Sequence, residues 1–192
     1  VPLEKIAAAF GTPVYCYSGA RIEDNFNAYR SALSSVMPAK SFTICYACKA
    51  NSNLAVLRLL QKQGAGADIV SGGELYRALK AGISPSRIVF SGVGKTAEEI
   101  EFGLREEIRS FNCESAEELE LVNSIAGRMG KKARVAVRVN PEVDAATHPY
   151  ISTGLSEHKF GIDSASVDAV YARAAALPNL DVDGVSCHIG SQ

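Results

Sequence analysis

The stretch Ala67-Asp-Ile-Val-Ser-Gly-Gly-Glu-Leu-Tyr-Arg-Ala-Leu-Lys-Ala-Gly82-Ile-Ser-Pro-Ser-Arg-Ile88-Val-Phe-Ser91 carries the alternation that sets the fold. Residues 67–70 and 88–91 are short apolar runs rich in β-branched side chains, the composition of buried strands. Between them, residues 72–82 follow a helical pattern that stops at Gly82, where a left-handed turn meets no Cβ penalty. Strand, helix and strand in such short compass make a β-α-β unit. Units of this kind join parallel strands by right-handed crossovers.

The same rhythm extends in both directions. Strands are predicted at 14–17, 42–47, 110–113, 134–139 and 184–189, and further helices at 20–36, 53–64, 96–107, 115–130 and 164–177. Successive strand starts lie 25, 21, 22, 24 and then 50 residues apart, from Phe42 through Ala67, Ile88, Ser110 and Arg134 to Gly184. Ser115-x-x-Glu118 reads as a capping box, Asp163 as the cap of the last helix, and Gly64 as a helix stop. The period fits a doubly wound sheet or a (β/α)8 barrel, and the length allows one domain or a domain with part of another. The doubled last gap holds an insertion, 140–162, rich in Pro, His, Ser, Thr and Gly, and a long segment after a strand is where a lid or binding loop sits.

Composition narrows the function. The 192 residues carry 20 Lys+Arg and 21 Asp+Glu, a net charge of −1, with 47% apolar residues. Such a chain lacks the basic field of a nucleic-acid binder and the acidic tail of a solvating segment. It has no apolar run of membrane-spanning length and no recognisable signal peptide, which predicts a soluble, cytoplasmic protein. Five cysteines, an odd number and four of them in strand-like runs, suit buried free thiols in a reducing compartment. Cys45-Tyr-Ala-Cys48 is a C-x-x-C, but residues three apart on a strand face opposite ways, and nothing nearby completes a zinc site. No metal is expected.

Both architectures gather function at the carboxyl ends of parallel strands. Those ends read Lys49-Ala-Asn51, Asp68, Ser91-Gly92, Asn112 with Glu114, Arg138 with Asn140, and His188-Ile-Gly-Ser191-Gln192. Lys49 follows a run that reads as buried on both faces. A desolvated lysine has a lowered pKa and can attack a carbonyl to form a Schiff base, whereas a strand-end lysine can also simply snorkel to water. His188 reads as a base, a stacking partner or a core histidine hydrogen-bonded to backbone. Gly92-Val-Gly94-Lys95-Thr96 imitates the end of a phosphate-binding P-loop, but Val89 stands where the first glycine is required, so it reads as a turn into a helix capped by Thr96.

Taken together, Tyr46-Ala-Cys-Lys49-Ala-Asn51, Ala67-Asp-Ile-Val-Ser-Gly-Gly-Glu74, Arg138-Val-Asn-Pro141, Thr147-His-Pro-Tyr-Ile-Ser-Thr-Gly154, Lys159-Phe-Gly161 and Cys187-His-Ile-Gly-Ser-Gln192 resemble the fold type III, alanine-racemase-like pyridoxal-phosphate decarboxylases. The 148–154 segment resembles the diaminopimelate decarboxylase branch in particular. The resemblance implies an α/β, (β/α)8 TIM barrel over residues 19–192, incomplete at about six β/α units, with 1–18 giving a strand to a second, β-rich domain. It implies pyridoxal 5'-phosphate on Lys49, His188 against its ring, Ser191 at its phosphate, and Asp68, Glu74 and Arg138 lining the cofactor site. His148, Tyr150, Ile151, Ser152 and Thr153 would form a lid over an amino-acid substrate.

The implied reaction is decarboxylation of meso-2,6-diaminopimelate to L-lysine by a homodimer whose sites are completed across the interface. In the family, later sequence supplies a glycine-rich phosphate loop, the acid facing the pyridine nitrogen and a cysteine-bearing segment from the dimer partner. The 192 residues alone are therefore expected to be inert. Ornithine or arginine decarboxylation, racemisation, and cofactor binding without turnover are the competing activities on this barrel.

Overall fold

The alternating runs become strands and helices in the computed structural model, which describes residues 1–38, 40–140 and 160–189. Helices α1 (Leu3–Phe10) and α2 (Gly19–Ser34) precede the first strand, β1 (Cys45–Ala47). The repeat then runs α3 (Leu54–Lys62), β2 (Gly66–Ile69), α4 (Gly72–Lys80), β3 (Ile88–Phe90), α5 (Ala97–Glu106), β4 (Ser110–Cys113), α6 (Ala116–Arg128) and β5 (Ala133–Arg138). It closes on α7 (Val167–Ala176) and β6 (Leu180–Ser186).

All pairings among the described residues are parallel, and strand order follows the chain from β1 to β6. A doubly wound sheet would reverse its order at a switch point. There is no reversal, and consecutive helices pack against each other in the same sequence. This is the progression of a (β/α)8 barrel, carried through six units. The sheet is not closed: β1 and β6 each pair on one side only among the described residues.

Period-two alternation divides the strand residues between two environments. Ala67, Ile69, Ile88, Phe90, Phe111, Cys113, Val135 and Val137 are buried with Leu57, Leu75, Ile100, Leu119, Val122 and Ile125 of the helices. Phe90 and Phe111 stack with ring centres 6.0 Å apart. Burying each large side chain of this set contributes about 1.5–3 kcal/mol, and the layer as a whole fixes which strand residues face the other way.

Helix ends agree with the sequence in part. Thr96 forms a complete capping box with Glu99, and Gly64 and Gly82 take left-handed φ angles of 85° and 90° after α3 and α4. Ser115 does accept the Glu118 amide, but the Glu118 carboxylate turns to the Glu114 amide and to Lys95, so the expected box is only half formed. Asp163 accepts from the amides of Ala165 and Ser166, closing a turn ahead of α7 instead of capping it, because the helix starts later than its polar prelude suggests.

Residues 14–17 lie in no strand here; Tyr15 and Tyr17 are exposed, and a lone extended segment without a ladder gains no pairing energy. Burial of all the thiols is also corrected: Cys48 and Cys113 are buried, Cys45 is half-buried, and Cys16 and Cys187 are exposed.

Candidate active site

The strand residues that turn away from the helices, with those just beyond the strand ends, line a cleft of about 610 Å³. Lys49, Asp68, Ser91, Asn112, Arg138 and His188 all contribute to it, each from a different strand end. Parallel register makes this convergence possible: Ala47 lies beside Asp68, Asn112 beside Ala136, and Arg138 beside Ser186. A smaller hollow of about 360 Å³ near Leu104, Glu107 and Lys131 lies at the opposite end and holds none of these groups.

Two polar networks order the cleft. In the first, the Asn112 amide donates to Ser91 Oγ at 2.9 Å, and the Ser91 hydroxyl donates to Asp68 Oδ1 at 2.6 Å. Since the serine oxygen accepts from Asn112, its proton is directed to Asp68. Burial pushes the Asp68 carboxyl upward, while that hydroxyl and the charges of Lys49, His188 and Arg138 hold it back. In the second, Arg138 Nη1 donates to both oxygens of buried Glu114 at 2.8 Å, and Glu114 Oε1 also accepts the Gly92 amide at 3.0 Å. Behind it, Lys95 pairs with Glu118 at 2.6 Å and donates to the carbonyls of Gly92 and Asn112. The amine that imitated a P-loop lysine is thus spent inside the fold.

His188 is half-buried, and desolvation, then the charges of Arg138 and Lys49, lower its pKa below the usual value, with Glu114 and Asp68 opposing. The imidazole is therefore held neutral near pH 7. Phe160 lies against Arg138, its ring centre 5.9 Å from the guanidinium carbon. Gly161 follows with φ 96°, and the Ile162 amide donates to the Arg138 carbonyl, which anchors the far end of the 140–162 insertion to β5.

Lys49 departs from its sequence reading. Strand β1 ends at Ala47, a 3-10 turn (Cys48–Ala50) follows, and this turn lifts Lys49 to an exposed position on the cleft wall. Desolvation by a two-sided strand does not occur. Glu74 sits in the first turn of α4, where its carboxylate accepts the Val70 amide at 2.8 Å, and it does not line the cleft. Ser191, His148, Tyr150, Ile151, Ser152 and Thr153 lie outside the described residues. Ser91, Asn112 and Glu114 stand out in the sequence as polar strand ends, but their partners come from neighbouring strands, which spacing along the chain does not disclose.

Residues 19–192 match the family model described as "Pyridoxal-dependent decarboxylase, pyridoxal binding domain". The whole chain is 53% identical to diaminopimelate decarboxylase of Aquifex aeolicus and 56% to that of Pseudomonas aeruginosa, covering 44% and 45% of those proteins. It also superimposes on crystalline diaminopimelate decarboxylase from Helicobacter pylori complexed with L-lysine, with TM-score 0.93 and 46% identity, over 100% of this chain and 48% of that one. The chain thus spans somewhat less than half the length of the relatives it matches.

Proposed function

The chain belongs to the pyridoxal-dependent decarboxylases, whose pyridoxal-binding domain it matches, and from that premise we propose that the whole protein decarboxylates meso-2,6-diaminopimelate to L-lysine. The observation that carries this reading is the convergence of Lys49, Asp68, Arg138 and His188 on one cleft at the strand ends. The substrate is supported by identity of 53–56% to enzymes bearing that name.

The donor set fits pyridoxal 5'-phosphate. An aldehyde-bearing, planar, anionic group calls for a primary amine, a flat uncharged neighbour and fixed positive charge, and the cleft holds Lys49, a neutral His188 and a clamped Arg138. When bound, the cofactor supplies an electron sink for the pair released as the bond from Cα to carboxylate breaks. Lys49 would hold it through its amine, His188 would lie against its ring, and Ser191 would contribute at its phosphate.

Asp68, held by the Ser91 hydroxyl, places a carboxyl group in the field of the Lys49 amine. Glu74 supports that wall by accepting the amide of Val70, which lines the cleft. His148, Tyr150, Ile151, Ser152 and Thr153 would cover the substrate and exclude water, which keeps the reacting bond in one orientation. We further assign residues 1–18 to a separate β-rich domain, since the family match begins at residue 19. A cytoplasmic homodimer completes the proposal. Among the described residues, no helix is long and apolar enough to cross a membrane.

The test is chemical. Full-length protein loaded with pyridoxal phosphate is reduced with borohydride, digested and mapped by mass spectrometry, and carbon dioxide release is followed with meso-diaminopimelate, ornithine and arginine. The adduct is expected on Lys49, with release from meso-diaminopimelate alone and its abolition in Lys49→Ala. A label on another lysine sinks the site; turnover of ornithine or arginine instead sinks the substrate.

A further inference from the structure

The geometry points to Glu114 as a positioning residue for the reaction proposed above: it sets the guanidinium of Arg138 in the cleft, and its influence on turnover passes through that group. Three observations carry this. Glu114 is 5% exposed and lies just beyond β4, while Arg138 ends β5, so the pair spans two neighbouring strand ends. Both carboxylate oxygens accept from one guanidinium nitrogen, and one of them is also held by the Gly92 amide, so the acid is itself fixed from a third strand end. Finally, the Glu114 amide donates to Glu118, whose other oxygen pairs with Lys95, a side chain only 1% exposed.

The order of these contacts matters. Lys95 holds Glu118, Glu118 accepts the Glu114 amide, Gly92 holds the Glu114 carboxylate, and that carboxylate holds Arg138, whose guanidinium lies over Phe160. Of the four charged side chains in this ladder, Arg138 alone lines the cleft with Lys49, Asp68 and His188. An unclamped arginine there would sample several rotamers, and a cation displaced by about an ångström is enough to lose much of a positioned interaction. The charge of Glu114 is fully used within the fold, which marks it as an orienting group and not as one that meets the substrate.

The inference rests on the decarboxylase reading, and the experiment separates the two. Full-length holoenzymes carrying Glu114→Gln, Arg138→Met and both substitutions are compared by kcat for carbon dioxide release, with borohydride labelling of Lys49 and thermal unfolding as controls. Glu114→Gln is expected to keep the Lys49 label and lower kcat more than fivefold, yet to change kcat less than twofold when Arg138 is already Met. A loss under fivefold, or an effect of twofold or more in the Arg138→Met background, overturns the assignment. Should Glu114→Gln not fold, Glu114→Asp keeps the charge and retracts it by one methylene, and the same two thresholds apply. Failure of the unsubstituted protein to label Lys49 or to release carbon dioxide counts against the functional reading alone.

Discussion

His188 shows how a single side chain takes its state from its surroundings. Desolvation leads, with Arg138 and Lys49 adding to it, and together they lower the pKa from the ordinary value of 6.5. Between that value and the lowered one, the unfolded chain binds a proton that the folded chain refuses. Stability therefore rises with pH across this window and falls as pH drops below about 6.5. In full-length protein, Tm between pH 7.5 and 5 should decline less steeply for His188→Gln than for the natural sequence; equal slopes would show that the imidazole is not held neutral. The lysine taught a different lesson. Lys49 was legible as the residue that matters at its strand end, but its environment was not, because it sits inside a 3-10 turn, Cys48–Ala50, and not on the strand whose burial its apolar prelude implied. A polar residue at a strand end can be recognised from sequence, whereas its exposure depends on where the strand stops.

Elements were legible wherever two signals coincided. Gly82 ends α4 and Thr96 begins α5 because each combines a helical period with a terminus residue whose chemistry suits that terminus. Helix α1 carries no such cap, since Pro2 cannot supply one, and nothing in the sequence marks its start. Strand β6 begins at Leu180 and not at 184, for Asp181 and Asp183 are poor strand formers although they keep the period-two alternation, while Gly184 fits beside a register shift at Val135/Ala136. Gly161 shows what a small element can control. With φ 96° and a would-be Cβ 2.8 Å from the Arg138 carbonyl, it admits no side chain without displacing the end of β5. Gly161→Ala should cost on the order of 1–3 kcal/mol in denaturant unfolding and lower kcat through Arg138. A variant of unchanged stability and rate would mean that the bridge between Val139 and Ile162 can shift freely.

The molecule as a whole explains why a site can be assembled and yet remain incomplete. Six parallel strands in chain order bring Lys49, Asp68, Ser91, Asn112, Arg138 and His188 to one face, and that convergence was foreseeable once the repeat period was recognised. The choice between barrel and doubly wound sheet was not legible in the period, because both have the same local alternation and differ in which side each crossover takes; it came from the resemblance of the strand-end motifs to the decarboxylases, and the strand order agrees with it. A (β/α)8 barrel closes its sheet with eight strands, so that interior groups lose solvent and the electrostatics of the site gain strength. Among the described residues β1 and β6 each pair on one side only, which leaves the interior open to solvent, and Val185 and Ile189 are 68% and 63% exposed. Exposed strand edges with apolar neighbours also invite self-association. Residues 1–192 prepared alone should therefore release no carbon dioxide from meso-diaminopimelate even with saturating pyridoxal phosphate, and should scatter light at concentrations where the full-length protein stays clear. Measurable turnover by that stretch would show that six strands suffice to desolvate the cleft, and would move the essential chemistry wholly onto the residues described here.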